Sequence, residues 1–319
     1  MAKLRVRHLG LFLLLLAFDI TQATALQHED ASGRPSSGVP KRMKLDGTVS
    51  VPLIMQQPGN RPSVEIMING KGPYNFLVET GSHTMDISAQ LAAKLGLTRR
   101  QGSEMSEASF HLDSVKLGDA VFEDLTIYEL PSLGSLEVQG VLGLAFFHDV
   151  LLTVDYPQQS LRVERGALPA ANGKDVLPLS RVSGFWGLPI SMNGKDFTAV
   201  LDTQNSGSLN IPPDVAGQLM LTDLKVVGKA RGAFGEADVK RGKLEGDLVV
   251  GVCKFPQALL GVVQLPPEYP NRPNLGSGIL KNFVVTLDQV NARLRLAHAE
   301  PCVIETPAAP THAAPATGS

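Results

Sequence analysis

Asn69-Gly70-Lys71 leads into Phe76-Leu77-Val78-Glu79-Thr80, and Asn193-Gly194-Lys195 leads into Ala199-Val200-Leu201-Asp202-Thr203. An Asn-Gly pair between apolar runs predicts a tight hairpin, so each stretch reads as strand, turn, strand, ending in a carboxylate followed by threonine. Each then runs into a predicted helix. The first covers Ser88 to Leu97, with Ser88 as N-cap and Gly96 as its stop, and the second covers Pro212 to Leu219. Further along, the match continues at one constant offset: Gly118 with Gly251, Phe122 with Phe255, Leu142-Gly143 with Leu275-Gly276, Thr153-x-Asp155 with Thr286-x-Asp288, and Leu161-Arg162-Val163 with Leu294-Arg295-Leu296. Matches in this order mark an internal repeat. The chain therefore divides into halves of one domain's size each, residues 48–167 and 174–304, joined near Ala170-Ala171-Asn172-Gly173.

Around this core the composition changes. Residues 1–25 carry Lys3, Arg5 and Arg7, an apolar run from Leu9 to Phe18, and Ala23-Thr24-Ala25, the pattern of a cleavable secretory signal. The run is half the ~20 residues a membrane-spanning helix needs, so export to the periplasm or beyond is expected, with no stable membrane insertion after cleavage. Residues 26–47 read as a flexible leader and residues 305–319, rich in Ala, Pro and Thr, as a disordered tail. The 319 residues are 43% hydrophobic, enough to close a core, and the 31 Gly and 22 Pro punctuate short apolar runs, which predicts an all-β chain with a few short helices. A net charge of −2 and 5% aromatic content exclude the basic stripe and stacking platform of a nucleic-acid binder. There is no glycine-rich phosphate loop ending in Lys-Ser/Thr, so no nucleotide partner is expected. Cys253 and Cys302, the two cysteines, either pair in an oxidising compartment or stay as buried thiols; their spacing suits no metal site, and no cofactor is expected.

Two carboxylates at matched strand ends meet at the interface between halves and share one proton, because like charges so close do not both ionise. The ionised one then serves as general base on a water while the protonated one polarises a peptide carbonyl. At this point the residues carry a resemblance. Phe76-Leu77-Val78-Glu79-Thr80-Gly81-Ser82 and Ala199-Val200-Leu201-Asp202-Thr203-Gln204 resemble the two Asp-Thr-Gly loops of the aspartic peptidases, in the single-chain, two-lobe, retropepsin-like or pepsin-like form of bacterial exported proteins. Val141-Leu142-Gly143 and Asn274-Leu275-Gly276 stand where that family has its hydrophobic-Gly signature.

The resemblance implies two homologous β-barrel lobes flanking a cleft, a hairpin flap, and endopeptidase action on extended peptides or proteins at Glu79 and Asp202. Thr80, Gly81, Thr203 and Gln204 would support the loops, and Leu142, Gly143, Leu275 and Gly276 would pack behind them. The departures fall on the chemistry: Glu79 stands for Asp and Gln204 for Gly. One extra methylene moves a carboxylate by ~1.5 Å, and a side chain at 204 is costly if the loop needs a left-handed backbone there. Two functions remain open on these residues, an aspartic-type endopeptidase and a non-catalytic peptide-binding module that keeps the fold. Candidate flaps are residues 100–113 and 228–245, where Phe110 and Phe234 supply only apolar contact. His83 reads as a polar loop residue, Asp155 and Asp288 as residues opening hairpin turns, and Ser206 and Ser208 lack the setting of a nucleophile.

Overall fold

The computed structural model describes residues 38–57, 59–100, 108–130, 137–232, 235–264, 270–298 and 302–304. The signal segment 1–25, most of the leader, the tail 305–319 and Phe234 lie outside them. Strands dominate, and the helices among the described residues are short, so the chain is all-β as its punctuated apolar runs predict. Both Asn-Gly turns form alike: Asn69 and Gly70 have φ of 50° and 74°, Asn193 and Gly194 φ of 51° and 73°, the left-handed pair a two-residue hairpin needs.

The first hairpin, Arg61–Ile68 with Lys71–Glu79, lies in a sheet whose next strands are Gly140–Gly143, Met85–Ser88 and Ala120–Leu130. Strand Ser109–Leu117 pairs with both Ala120–Leu130 and Arg61–Ile68, which closes these six strands into a barrel. The second hairpin, Phe185–Met192 with Lys195–Leu201, continues through Asn274–Leu275, Leu209–Ile211 and Leu259–Val263. The two runs share order and sense. In each, the carboxylate-bearing strand pairs parallel with the hydrophobic-Gly strand, which pairs antiparallel with the next, which pairs parallel with the last. Phe122 and Phe255, equivalent in the repeat, are both fully buried, each burial contributing about 2–3 kcal/mol.

A six-stranded sheet joins the halves, in the order Val176–Pro178, Arg293–Ala297, Val284–Asp288, Leu151–Asp155, Ser160–Glu164, Val49–Pro52. Its central pair is antiparallel with Thr153 opposite Thr286, their hydroxyls 3.0 Å apart. Asp155 accepts from the Gln158 N–H and Asp288 from the Asn291 N–H, so both acids hold the turns of their hairpins.

Two expectations change. The leader is part of the fold from residue 38 on: Arg42–Lys44 adds an edge strand to Ala120–Leu130, Leu45 is buried, and Arg42 and Lys44 both reach Glu123. An edge strand of two cations around one methionine buries too little to show apolar periodicity. Phe110, a candidate flap residue, is instead a core residue of Ser109–Leu117 opposite Ile127, because its side of the strand faces the barrel interior. The other candidate flap is a long hairpin, Leu221–Gly232 with Gly235–Leu244. Helix Ala89–Leu95 has Ser88 Oγ accepting from the Leu91 N–H at 3.2 Å and Gly96 in the left-handed region as its stop. The second helix is a single turn, Pro213–Ala216. Cys253 and Cys302 form a disulfide, beside backbone bonds that tie residues 302–304 to Lys254. No helix among the described residues is long and apolar enough to cross a membrane.

Candidate active site

Glu79 is the last residue of its strand, opposite Gly143, and Asp202 follows the end of its own, its N–H bonded to the Leu275 carbonyl at 3.0 Å. Each acid is followed by a threonine that bonds to the other half, so both loops lie where the halves meet. The threonines lock that meeting. Thr80 N–H donates to Thr203 Oγ1 (3.1 Å) while Thr203 N–H donates to Thr80 Oγ1 (3.0 Å). Each hydroxyl passes its own proton onward across the interface, Thr80 to the Leu201 carbonyl (3.0 Å) and Thr203 to the Val78 carbonyl (2.6 Å). Both threonines are buried, so a substitution that removed one hydroxyl would leave its buried partners across the interface unpaired. Behind Thr203, the Ser277 hydroxyl donates to its carbonyl at 2.5 Å and lies 3.4 Å from the Tyr156 hydroxyl.

At the hydrophobic-Gly residues, backbone passes close behind the loops. Leu142 and Leu275 are fully buried. A Cβ on Gly143 would overlap the Thr84 carbonyl, and one on Gly276 the Gly207 and Asn205 carbonyls. Gly81 has the most direct role: a Cβ there would lie 2.8 Å from Asp202 Cγ, so the first loop rests its backbone on the second loop's carboxylate.

Electrostatics divides the pair. Glu79 is pushed up to about 8, first by burial, then by the charges of Asp202 and Asp86. Asp202 is also raised by burial, against hydrogen bonds that favour its anion. Asn274 Nδ2 donates to Oδ2 at 2.9 Å, and the Gln204 and Asn205 N–H groups donate to Oδ1 at 2.9 and 3.0 Å. Three donors hold the charge on Asp202, so the proton resides on Glu79. At neutral pH Glu79, pushed up to about 8, keeps its proton.

Gln204 departs from its expected cost. Its φ is not left-handed, so a side chain is free of strain there. Its amide turns to the first half, Nε2 donating to the Val78 carbonyl at 2.8 Å and to the Pro62 carbonyl at 3.1 Å. His83, as a polar loop residue, contacts the Gly184 carbonyl and lies 3.2 Å from the Arg181 guanidinium, which stacks on Trp186. Among the described residues, the cluster of side chains close enough to share a metal is Cys253, His298 and Cys302, and its two cysteines are joined in the disulfide.

Sequence reasoning missed Asn274 and Asp86. Asn274 was marked by a break in the repeat, since Val141 stands at its place in the first half. Asp86 is buried and accepts from Thr84 Oγ1 at 2.7 Å, but lies on a short strand, Met85–Ser88, whose alternation resembles an exposed edge.

Residues 64–146 match the aspartyl protease family. The matched segment holds Glu79-Thr80-Gly81 and Leu142-Gly143, so the similarity covers the first half of the site. A search of curated proteins returned no match to the chain.

Proposed function

We propose that the chain is an exported, two-lobed endopeptidase of the aspartic type, built by internal duplication, with Glu79 as acid and Asp202 as base. The observation that carries this reading is two carboxyl groups, Asp202 buried and Glu79 half-buried, each next to one of the crossed threonines, with Glu79 pushed up to about 8 by burial and by the charges of Asp202 and Asp86. Asp202 takes a proton from water as its oxygen attacks the peptide carbonyl, and Glu79 gives its proton to the carbonyl oxygen. On collapse the leaving nitrogen receives the proton held by Asp202, and Glu79 recovers its own. An extended peptide would lie along strand edges under the Leu221–Leu244 hairpin. The common strand order of the halves and the Thr153–Thr286 pair support duplication. Export is supported by the residue pattern of 1–25 and by the disulfide, a bond of oxidising compartments.

The experiment is a peptide-library digest by the chain lacking residues 1–25, from pH 3 to 9, with Asp202→Asn as control. We expect cleavage by the native chain and at least ~10³-fold less by the variant. Cleavage that survives Asp202→Asn removes the pair from the mechanism. The second reading, a peptide-binding module without catalysis, is favoured by Glu79 and Gln204 themselves, and a native chain that binds peptides and cuts none establishes it.

A further inference from the structure

The two departures from the aspartic-peptidase pattern meet at one carbonyl. Val78 O, in the peptide unit that precedes Glu79, accepts from Thr203 Oγ1 and from Gln204 Nε2, both on the Asp202 loop. The same Gln204 amide reaches the Pro62 carbonyl on the neighbouring strand, where Ser63 pairs with Leu77. Gln204 thus ties together, from the other half, the ends of the two strands that launch Glu79. A glycine at 204 makes neither bond. The reverse arrangement is closed off, because the matching residue of the first loop, Gly81, lies against the Asp202 carboxylate with no room for a Cβ. The longer acid and the added amide therefore sit on complementary sides of the interface.

We propose that Gln204 is the positioning residue that allows a glutamate in the pair, by fixing the end of strand Lys71–Glu79 so that the longer side chain brings its carboxyl to Asp202. Gln204 Oε1 is buried without a hydrogen-bond partner among the described residues. Such an acceptor calls for a donor, and the acid form of Glu79, the residue after the clamped carbonyl, supplies one. Glu79 and Gln204 are then one device, and each is expected to lose its value without the other.

The inference rests on the endopeptidase reading, and its test separates the two. Kinetics of the native chain, Glu79→Asp, Gln204→Gly and the double variant form a double-mutant cycle. Each single variant is expected to lose about tenfold or more in kcat with KM little changed, and the double variant to recover at least about tenfold over the product of the single losses. Losses that simply multiply overturn the proposal. In parallel, the Glu79 carboxyl is titrated by 13C NMR in the native chain and in Gln204→Met, which keeps the volume and removes the amide. The proposal expects a downward shift of at least about half a unit. An unmoved midpoint in a folded Gln204→Met chain overturns it. A native chain that cuts nothing at any pH defeats the endopeptidase reading, and the titration still decides whether Gln204 governs Glu79.

Discussion

At Glu79 and Asp202 burial is common to both carboxyl groups, and the hydrogen bonds tell them apart. Asp202 receives three donors and Glu79 faces two acids, Asp202 and Asp86, so the ionisations are driven in sequence. A mechanism needing Asp202 charged and Glu79 protonated then has an acidic limb above the ordinary aspartate value of 3.8 and a basic limb near pH 8. A pH–rate profile of kcat/KM checks this: an optimum above the ordinary aspartate value of 3.8 and below about pH 8 is expected, and maximal rate near pH 3 contradicts the assignment. Stability follows the same proton. Folded Glu79 keeps it up to about 8, whereas the unfolded chain releases it near 4.5, so the folded state binds the extra proton and loses stability as pH rises across that window. Melting curves of Glu79→Gln should lack this decline and exceed the native chain at pH 8 by an amount on the order of a few kcal/mol. Glu79, Asp202 and the threonines were legible because the repeat prints them twice. Asn274, which holds the charge on Asp202, was not, since it belongs to one half alone and tertiary pairing brings it there.

Among the elements, those with strong local chemistry were readable. The Asn-Gly turns use a residue pair at ease with two left-handed positions, and helix Ala89–Leu95 has a serine cap and a glycine stop. Leu144–Phe147 and Ser277–Leu280 escaped notice because four residues make one turn, too short for any period. They nevertheless occur at matched places, each directly after a hydrophobic-Gly pair, where the chain must turn away from the loop it has just passed. Gly276 measures how tight that passage is. Gly276→Ala puts a methyl into the Gly207 and Asn205 carbonyls and against the Asn205 side chain, and the two backbone oxygens have little freedom to yield. Urea unfolding should show a loss of about 1–3 kcal/mol, with activity falling further than stability because Asn205 carries one of the Asp202 donors. A fully stable Gly276→Ala chain would mean that the loop has slack.

For the molecule as a whole, the sheet between the halves was the least legible part. The sequence shows Thr153-x-Asp155 and Thr286-x-Asp288 as equivalents, yet nothing local says that equivalent strands pair with each other. That pairing is a matter of symmetry. Covalent reinforcement lies elsewhere: the disulfide closes a loop wholly inside the second half, separating its cysteines by 49 residues. Replacing both by serine should cost about 2–4 kcal/mol in chemical unfolding, with residues 302–304 released from Lys254 first. The halves themselves are covalently joined only through the exposed connector at Ala170 and Ala171. Against that single tether stand the ladder of Leu151–Asp155 with Val284–Asp288, the crossed threonines, and Leu168, whose N–H donates to Asp288 and whose carbonyl accepts from Arg293. A chain nicked at a protease site inserted between Ala170 and Ala171 should therefore stay one particle on gel filtration and keep its activity, parting into two fragments only in denaturant. The tether is then a device for getting two partners made in equal number and at the same place, and it becomes dispensable once they have met.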